Sequence, residues 1–237
     1  MKRNFKQGWQ QIQKLFANCI KRVSFFNACI LCNLQTNRAY CLVCHTCEQD
    51  LELLELGFDI LQHSPVMAAN IQSHYLDGLA CVSLYHWPFS QYIPSLKFRA
   101  GRIHAHWMGS FMYQQLKHQL WPQPDFIVPM PLHSMRLFIR GYNQALLLAN
   151  SVDNSKVTTN ILTRVKFTKA QSGLNKRQRK GNVKDAFVCQ TNLQDKVVWL
   201  IDDVVTTGQT VNEAARVLKQ AGATAVFVAA VALQPLD

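Results

Sequence analysis

The 237-residue sequence contains no apolar run close to the roughly 20 residues that a membrane-spanning helix requires, which argues against integral membrane insertion. Its basic start, residues 1–6, is followed by the polar stretch 7–14, where a signal peptide would carry an apolar core. We therefore expect a cytoplasmic location. In that reducing compartment the eight cysteines are expected to stay free of disulfide bonds.

Acidic residues are scarce. The sequence has 14 Asp and Glu and 25 Lys and Arg, which gives a net charge of +11. This balance favours polyanionic partners, namely phosphorylated small molecules, nucleic acid or an anionic membrane surface, without choosing among them. The sequence also lacks the Gly-Lys-Ser/Thr of a Walker A loop, which excludes that type of phosphate site. Its length allows one domain of ordinary size plus a small module.

Five of the eight cysteines crowd into one short stretch near the start of the chain. Paired Cys-x2-Cys knuckles are typical of a structural zinc ion held by four thiolates. The preferred ligands are Cys29, Cys32, Cys44 and Cys47. Use of Cys41 in the second knuckle is an alternative, and reduced thiols in a small core are another.

Residues 9–23 place Trp9, Ile12 and Phe16 on one face of a predicted helix, with basic side chains elsewhere. The segment 1–24 is therefore predicted to be a basic amphipathic extension. Such a helix can lie on a membrane surface or pack against the rest of the protein, and we favour packing.

The most informative stretch begins with residues 197–201, a short apolar run without alternation, typical of a strand in a buried parallel sheet. Asp202 and Asp203 follow at its carboxyl end, the edge where open α/β sheets bind ligands. Two adjacent carboxylates repel each other and lose solvation, which favours a site where a ligand or cation compensates.

The turn that follows contains the sequence Thr-Thr-Gly-x-Thr. Gly208 permits a left-handed backbone and close approach, and Thr210 is predicted to cap an amphipathic helix that ends at Gly222. A phosphate at the start of that helix would meet free N–H groups and the positive end of the helix dipole. Residues 224–233 return as a second buried strand, so the unit is β-loop-α-β.

Two further segments offer cationic groups. Residues 125–136 are predicted to form a strand that ends in a proline-stiffened loop, followed by Arg136 and Arg140, which suit bidentate phosphate contact. Residues 164–184 are basic and contain no Asp or Glu. This basic segment is predicted to be a solvated loop, a lid over a polyphosphate, or a nucleic-acid contact.

Residues 201–210 closely resemble the motif with which type I phosphoribosyltransferases bind 5-phosphoribosyl 1-pyrophosphate, PRPP. The resemblance implies that Asp202 and Asp203 contact the ribose hydroxyls as the catalytic carboxylates and that the loop wraps the 5′-phosphate. The PRPP-binding residues it implies are Asp202, Asp203, Val204, Val205, Thr206, Thr207, Gly208, Gln209 and Thr210.

More narrowly, the chain resembles the ComF/GntX family, in which a zinc knuckle precedes a phosphoribosyltransferase fold and which is linked to DNA uptake in bacterial competence. The resemblance rests on the cysteines, on residues 96–98, 128–132, 140–144 and 171–183, and on the Asp-Asp loop. Two features depart from the family pattern: the first 25 residues are longer and more basic, and Cys41 is extra.

The resemblance implies an α/β fold, a type I phosphoribosyltransferase-like parallel sheet flanked by helices, with a small N-terminal zinc knuckle. We expect the knuckle at residues 25–60 and the transferase-like domain at 70–237, with a hood at about 75–120. The pyrophosphate of PRPP, with Mg²⁺, would face the pyrophosphate loop and the lid. The candidates there are Lys97, Pro131, Leu132, His133, Arg136, Arg140, Arg177 and Arg179.

The leading hypothesis is a transferase that moves the phosphoribosyl group of PRPP to an acceptor that the sequence does not identify. A competing hypothesis is a non-catalytic module that keeps the sugar-phosphate pocket or handles single-stranded DNA beside other competence proteins. A third is an interaction protein assembled through the knuckle. For each of them the location stays cytoplasmic, with peripheral attachment to the inner membrane left open.

Overall fold

A computed structural model of the chain describes residues 28–36, 42–98, 101–166 and 183–234. The predicted N-terminal extension, Cys41, and the lid residues Arg177 and Arg179 lie outside the described residues. Within the described ranges, no helix has both the length and the apolar character needed to cross a membrane. The chain divides into two compact units, Met1–Leu51 and Glu52–Asp237.

The smaller unit is held by a few backbone hydrogen bonds around its cysteines. Helix α1, His45–Gln49, begins at Cys44, whose sulfur accepts the N–H of Cys47. The N–H of Cys29 donates to Leu34 O at 2.8 Å and so closes a tight turn. The two knuckles of the sequence are therefore ordered turns with their sulfur atoms turned inward toward each other.

The larger unit is built on a four-stranded parallel sheet. Its strands are β1 (Gly78–Leu84), β2 (Phe126–Pro129), β5 (Val197–Val205) and β6 (Ala225–Leu233), in the order β1-β6-β5-β2. A separate antiparallel pair is formed by β3 (Leu162–Arg164) and β4 (Phe187–Cys189). The predicted parallel sheet is confirmed, and its strands are buried because apolar residues occupy both of their faces.

Helices cover the sheet and supply its connections. They are α2 (Ile60–His63), α3 (Pro65–Ala68), α4 (Phe89–Tyr92), α5 (Gly101–Lys117), α6 (Ser134–Arg140), α7 (Gln144–Asp153) and α8 (Gln209–Gln220), with a 3₁₀ turn at Pro94–Lys97. Helices α5 and α7 pack closely, because a Cβ on Gly109 would lie only 2.4 Å from Ser151 Oγ. The apolar face of α8 buries Val211, Ala214 and Leu218 in the core.

Residues that follow Glu52 pair with the large sheet, although we assigned residues 25–60 to the knuckle. The N–H of Leu54 donates to Val82 O at 2.9 Å, and Leu53 forms a bridge with Ser83. These bonds to β1 tie the residues after Glu52 to the larger unit. The remaining predicted domain limits stay predictions.

Strand β5 is longer than the sequence suggested. It continues through both aspartates to Val205, because β6 runs beside it as far as the pair Val205↔Leu233. On its other side, pairing with β2 ends at Pro129↔Ile201. The aspartates therefore lie on a strand that is paired on one side, at an edge that β2 leaves open.

Candidate functional site

The two aspartates are anchored to the backbone of their own strand. Asp202 Oδ1 accepts the N–H of Asp203 at 2.9 Å, and Asp203 Oδ1 accepts the N–H of Val204 at 3.0 Å. Both side chains are half-buried. One oxygen of each carboxylate is therefore fixed by a hydrogen bond from the backbone.

The carboxylates are too close together to ionise independently. Burial raises the pKa of Asp202 well above its usual range, the charge of Asp203 raises it further, and the positive charge of Arg164 partly opposes both. Charge repulsion of this kind is a frequent property of ligand sites, because a bound cation or hydroxyl donor relieves it.

Three arginines from two elements carry positive charge beside the carboxylates. Arg136 and Arg140 lie one turn apart on α6, and Arg164 lies on β3. Burial and the charge of Arg140 lower the pKa of Arg136, while burial and the charge of Arg136 lower the pKa of Arg164. These cations crowd one another, so an anion bound among them would be favoured.

A buried glutamine connects the arginine helix to the aspartates. Gln144, the first residue of α7, is 6% exposed. Its Nε2 donates to Asp203 Oδ2 at 3.3 Å, and its Oε1 accepts from Arg140 Nη1 at 3.0 Å. One side chain therefore joins Arg140, a predicted pyrophosphate residue that lies on helix α6 and not in a loop, to Asp203, a predicted ribose carboxylate.

The neighbouring residues hold this connection in place. Gly141, with φ of 74°, ends α6, and Asn143 begins α7 by accepting the N–H of Ala145 while it donates to Met130 O at 3.0 Å. The Tyr142 hydroxyl donates to Leu96 O at 2.6 Å and also contacts Phe98 O. Lys97 stands between these two carbonyls, so Tyr142 fixes the backbone that presents it.

The turn after β5 follows the prediction in one respect and departs from it in another. Gly208 has φ of 73°, and a Cβ there would lie 2.6 Å from Gln72 O, so both its backbone and its surroundings require glycine. However, α8 begins at Gln209 with Gly208 as its cap, so the predicted capping role of Thr210 is wrong. The left-handed glycine turns the chain directly into the helix two residues earlier than a cap at Thr210 would.

The loop between β2 and α6 contains Pro131, Leu132 and His133. His133 caps α6, because its Nδ1 accepts the N–H of Met135 at 3.2 Å. A ring nitrogen that accepts leaves the proton on Nε2. The predicted contact of this loop with pyrophosphate stays a prediction, as do the ligand roles assigned to residues 202–210.

Several residues near the site were not predicted. Gln144 and Tyr142 lie in the family motif 140–144, in which only Arg140 was predicted as a site residue. Arg164 lies in the basic segment 164–184 and had no predicted role of its own. Burial and the charge of Asp203 raise the pKa of the Tyr85 phenol, which places Tyr85 near that carboxylate. Of these residues only Arg164 could have been found from the sequence, because its positive charge suits an anion site.

The four preferred cysteines meet in the smaller unit. The sulfur atoms of Cys29, Cys32, Cys44 and Cys47 all lie within 4.8 Å of one another, and Cys32 Sγ is 3.8 Å from Cys44 Sγ. Zn–S bonds of about 2.3 Å in a tetrahedron separate neighbouring sulfurs by about 3.8 Å, so these four residues fit a zinc ion.

Backbone N–H groups surround the same sulfurs. Cys44 N–H donates to Cys29 Sγ at 3.3 Å. Burial raises the pKa of Cys29, but the N–H groups of Cys32 and Cys44 outweigh it, so its pKa falls to about 6. Donors of this kind stabilise thiolates, the form in which cysteine binds metal.

A separate cleft of about 390 Å³ opens near the start of β2 and β5. Its lining includes Trp199, which precedes the aspartates on β5, its sheet partner Ile127 on β2, and Lys117 and Lys156. None of its lining residues belongs to the predicted PRPP or pyrophosphate set, so this cleft is distinct from the candidate site.

Comparison with known proteins bears on this arrangement. The family model for the phosphoribosyl transferase domain matches residues 108–236. Competence protein F of Haemophilus influenzae is 31% identical over 218 residues, covering 84% of this chain and 94% of that protein. DNA utilization protein YhgH of Escherichia coli is 35% identical over 160 residues, covering 63% of this chain and 69% of that protein.

Among solved structures, a purine phosphoribosyltransferase from Pyrococcus horikoshii is 19% identical and covers 62% of this chain and 74% of its own, with a TM-score of 0.31. The family model thus covers more than half of the chain, all within the larger unit. The match to competence protein F covers 84% of the chain and so extends toward the cysteines.

Proposed function

The chain belongs to the ComF family of proteins with a phosphoribosyl transferase domain, and from this membership we propose that it binds PRPP and transfers its phosphoribosyl group. Asp202 and Asp203 would accept hydrogen bonds from the two ribose hydroxyls. The 5′-phosphate would lie on the N–H groups of the 206–210 turn at the start of α8, where the helix dipole favours an anion.

The observation that carries the proposal is the pairing of crowded carboxylates with crowded arginines at one open sheet edge. Asp202 lies close enough to Arg164 for the two charges to influence each other's pKa, and Arg136 influences Arg164 in turn. A ligand that has both hydroxyls and phosphates satisfies both groups at once. A simple phosphate would leave the carboxylates uncompensated.

Transfer requires the bond from the anomeric carbon to pyrophosphate to break and a bond to the acceptor to form. Negative charge then grows on pyrophosphate, and arginines that are already in place stabilise it without reorganisation. A bound Mg²⁺ would supply further neutralisation of the departing pyrophosphate. The carboxylates hold the ribose while its ring carbon becomes electron-poor, and the acceptor loses a proton as the new bond forms.

The test is calorimetry of the whole protein with PRPP and Mg²⁺. We expect heat of binding from the wild type and a loss of at least about tenfold in affinity for the Asp202→Ala, Asp203→Ala double variant, as for loss of charged hydrogen bonds. Asp125→Ala is the control, because Asp125 pairs with Lys196 at 3.2 Å before the start of β2. Binding that survives in the double variant would refute the assignment.

We further propose that Cys29, Cys32, Cys44 and Cys47 hold a structural zinc ion. The sulfur spacing and the N–H donors support this ligand set. Metal analysis after dialysis should find one zinc per chain. A Cys41→Ser variant should keep its zinc. Loss of zinc from that variant would mean that Cys41 is one of the ligands.

A second candidate function is the handling of single-stranded DNA in a competence pathway. The net charge of +11 and the names of the two relatives favour it. Phosphate-backbone binding weakens steeply as salt rises, so fluorescence anisotropy of labelled oligonucleotides between low and moderate salt is the measurement. DNA affinity that does not depend on salt would reject this function.

A further inference from the structure

We propose that Gln144 is a positioning residue that transmits the state of Arg140, on helix α6, to the carboxylate of Asp203. The inference rests on the proposed PRPP function. Its basis is one buried amide that bonds Arg140 on one side and Asp203 on the other, at 3.0 and 3.3 Å.

The orientation of this amide follows from its partners. A guanidinium can only donate hydrogen bonds, and an ionised carboxylate can only accept them. Only one placement of the amide oxygen and nitrogen therefore satisfies both Arg140 and Asp203. A glutamate in this position would repel Asp203, and an apolar side chain would bond neither group.

Gln144 also determines which lone pairs of Asp203 are available. Asp203 Oδ1 already accepts the N–H of Val204 at 3.0 Å, and Oδ2 accepts Gln144 Nε2. The carboxylate is thus held at both oxygens in one rotation. Its remaining lone pairs point in fixed directions toward a ribose, so preorganisation lowers the entropy lost on binding.

The position of Gln144 in the fold holds its amide between its two partners. Its backbone starts α7, which Asn143 caps, and two residues before it the Tyr142 hydroxyl donates to Leu96 O. Gln144 is buried, with 6% of the residue exposed, so water competes little for the hydrogen bonds of its amide. Movement of Arg140 on binding pyrophosphate would therefore change the hydrogen bond that holds Asp203.

The test uses ribose 5-phosphate, which lacks pyrophosphate and so has no group for Arg140. Affinity is measured by calorimetry for the wild type, Arg140→Met, Gln144→Met and the double variant. We expect Arg140→Met to weaken ribose 5-phosphate binding at least about twofold in the wild-type background, the lower end of coupling within a hydrogen-bond network. In the Gln144→Met background, Arg140→Met should leave the affinity for ribose 5-phosphate unchanged.

Gln115→Met is the matched control, because Gln115 is also a buried glutamine, 2% exposed, whose Nε2 donates to Glu55 O at 2.9 Å away from the aspartates. It should lower the melting temperature and leave ribose 5-phosphate affinity unchanged. If Gln144→Met does not fold, Gln144→Glu replaces it, because that side chain retains the acceptor for Arg140 but cannot donate to an ionised Asp203.

The outcomes distinguish failure of the role of Gln144 from failure of the proposed function. Equal effects of Arg140→Met in both backgrounds, with normal binding by the wild type, overturn the role of Gln144 alone. Absence of heat from the wild type with both PRPP and ribose 5-phosphate overturns the proposed function, and the inference with it. An effect of Arg140→Met that disappears with Gln144 establishes the coupling.

Discussion

Two glycines with nearly the same backbone conformation allow the steric demand of the turn at 206–210 to be measured. Gly208 has φ of 73° and Gly141 has φ of 74°. A Cβ on Gly141 would meet nothing within 4 Å, whereas a Cβ on Gly208 would lie 2.6 Å from both Gln72 O and Ile71 Cγ2. Alanine at either position incurs the left-handed cost, but only Gly208→Ala adds a clash.

The magnitudes follow from those distances. The left-handed conformation costs an alanine about 1–2 kcal/mol, which is the whole expected effect of Gly141→Ala. At Gly208 the neighbour is partly backbone, and the N–H of Gln72 donates to Thr207 O at 2.9 Å, so the segment cannot retreat without breaking that bond. Overpacking and the strained bond add about 1–3 kcal/mol.

Urea denaturation followed by circular dichroism gives the free energy of unfolding for both variants. We expect Gly208→Ala to lose about 2–5 kcal/mol and Gly141→Ala about 1–2 kcal/mol. PRPP affinity should fall for Gly208→Ala because its turn shifts. Equal losses of stability in the two variants would refute the claim that close approach, rather than φ alone, requires glycine at 208.

Three further predictions concern charges and thiols. The raised pKa of Asp202 means that the folded state holds its proton more tightly than the unfolded state, so stability falls as pH rises from about 4 toward the folded-state pKa. Asp202→Asn should therefore stabilise the protein at neutral pH by about 1 kcal/mol and flatten that dependence in thermal melts, while PRPP binding is lost. Cys44→Ser should reduce zinc content from one ion to none by metal analysis, with Cys81→Ser as a variant that keeps it, and retention of zinc would contradict the ligand set. Asp59 accepts Trp121 Nε1 at 2.8 Å and the N–H of Leu79 at 3.2 Å, so Asp59→Ala should cost about 2–4 kcal/mol in urea denaturation, and a loss below about 1 kcal/mol would contradict that role.

Much of the local structure could be read from residue patterns. Apolar runs without alternation predicted β5 and β6, and Gly222, with φ of 104°, predicted where helix α8 ends. Both signals are local, because a buried parallel strand must be apolar on its two faces and a left-handed turn favours glycine. The error at Thr210 came from choosing a side-chain cap where glycine geometry alone suffices.

The residues that complete the candidate site could not be read in the same way. Arg164 and Tyr85 are distant from the aspartates along the chain, and nothing in their immediate neighbours indicates that they influence Asp202 or Asp203. Gln144 is an ordinary helix-starting residue until α6 and β5 are placed beside it. Their contributions depend on which elements pack together, a property of the whole fold.

By itself the sequence indicated the class of the fold, the order of the two carboxylates and the turn at 206–210, and the paired cysteine knuckles, because each depends on residue types at short spacing. The tertiary structure decided how far β5 extends past β2 and which single side chain, Gln144, joins Arg140 to Asp203. Strand pairing and helix packing act between distant residues. Only their three-dimensional arrangement brings two predicted subsites within reach of one amide.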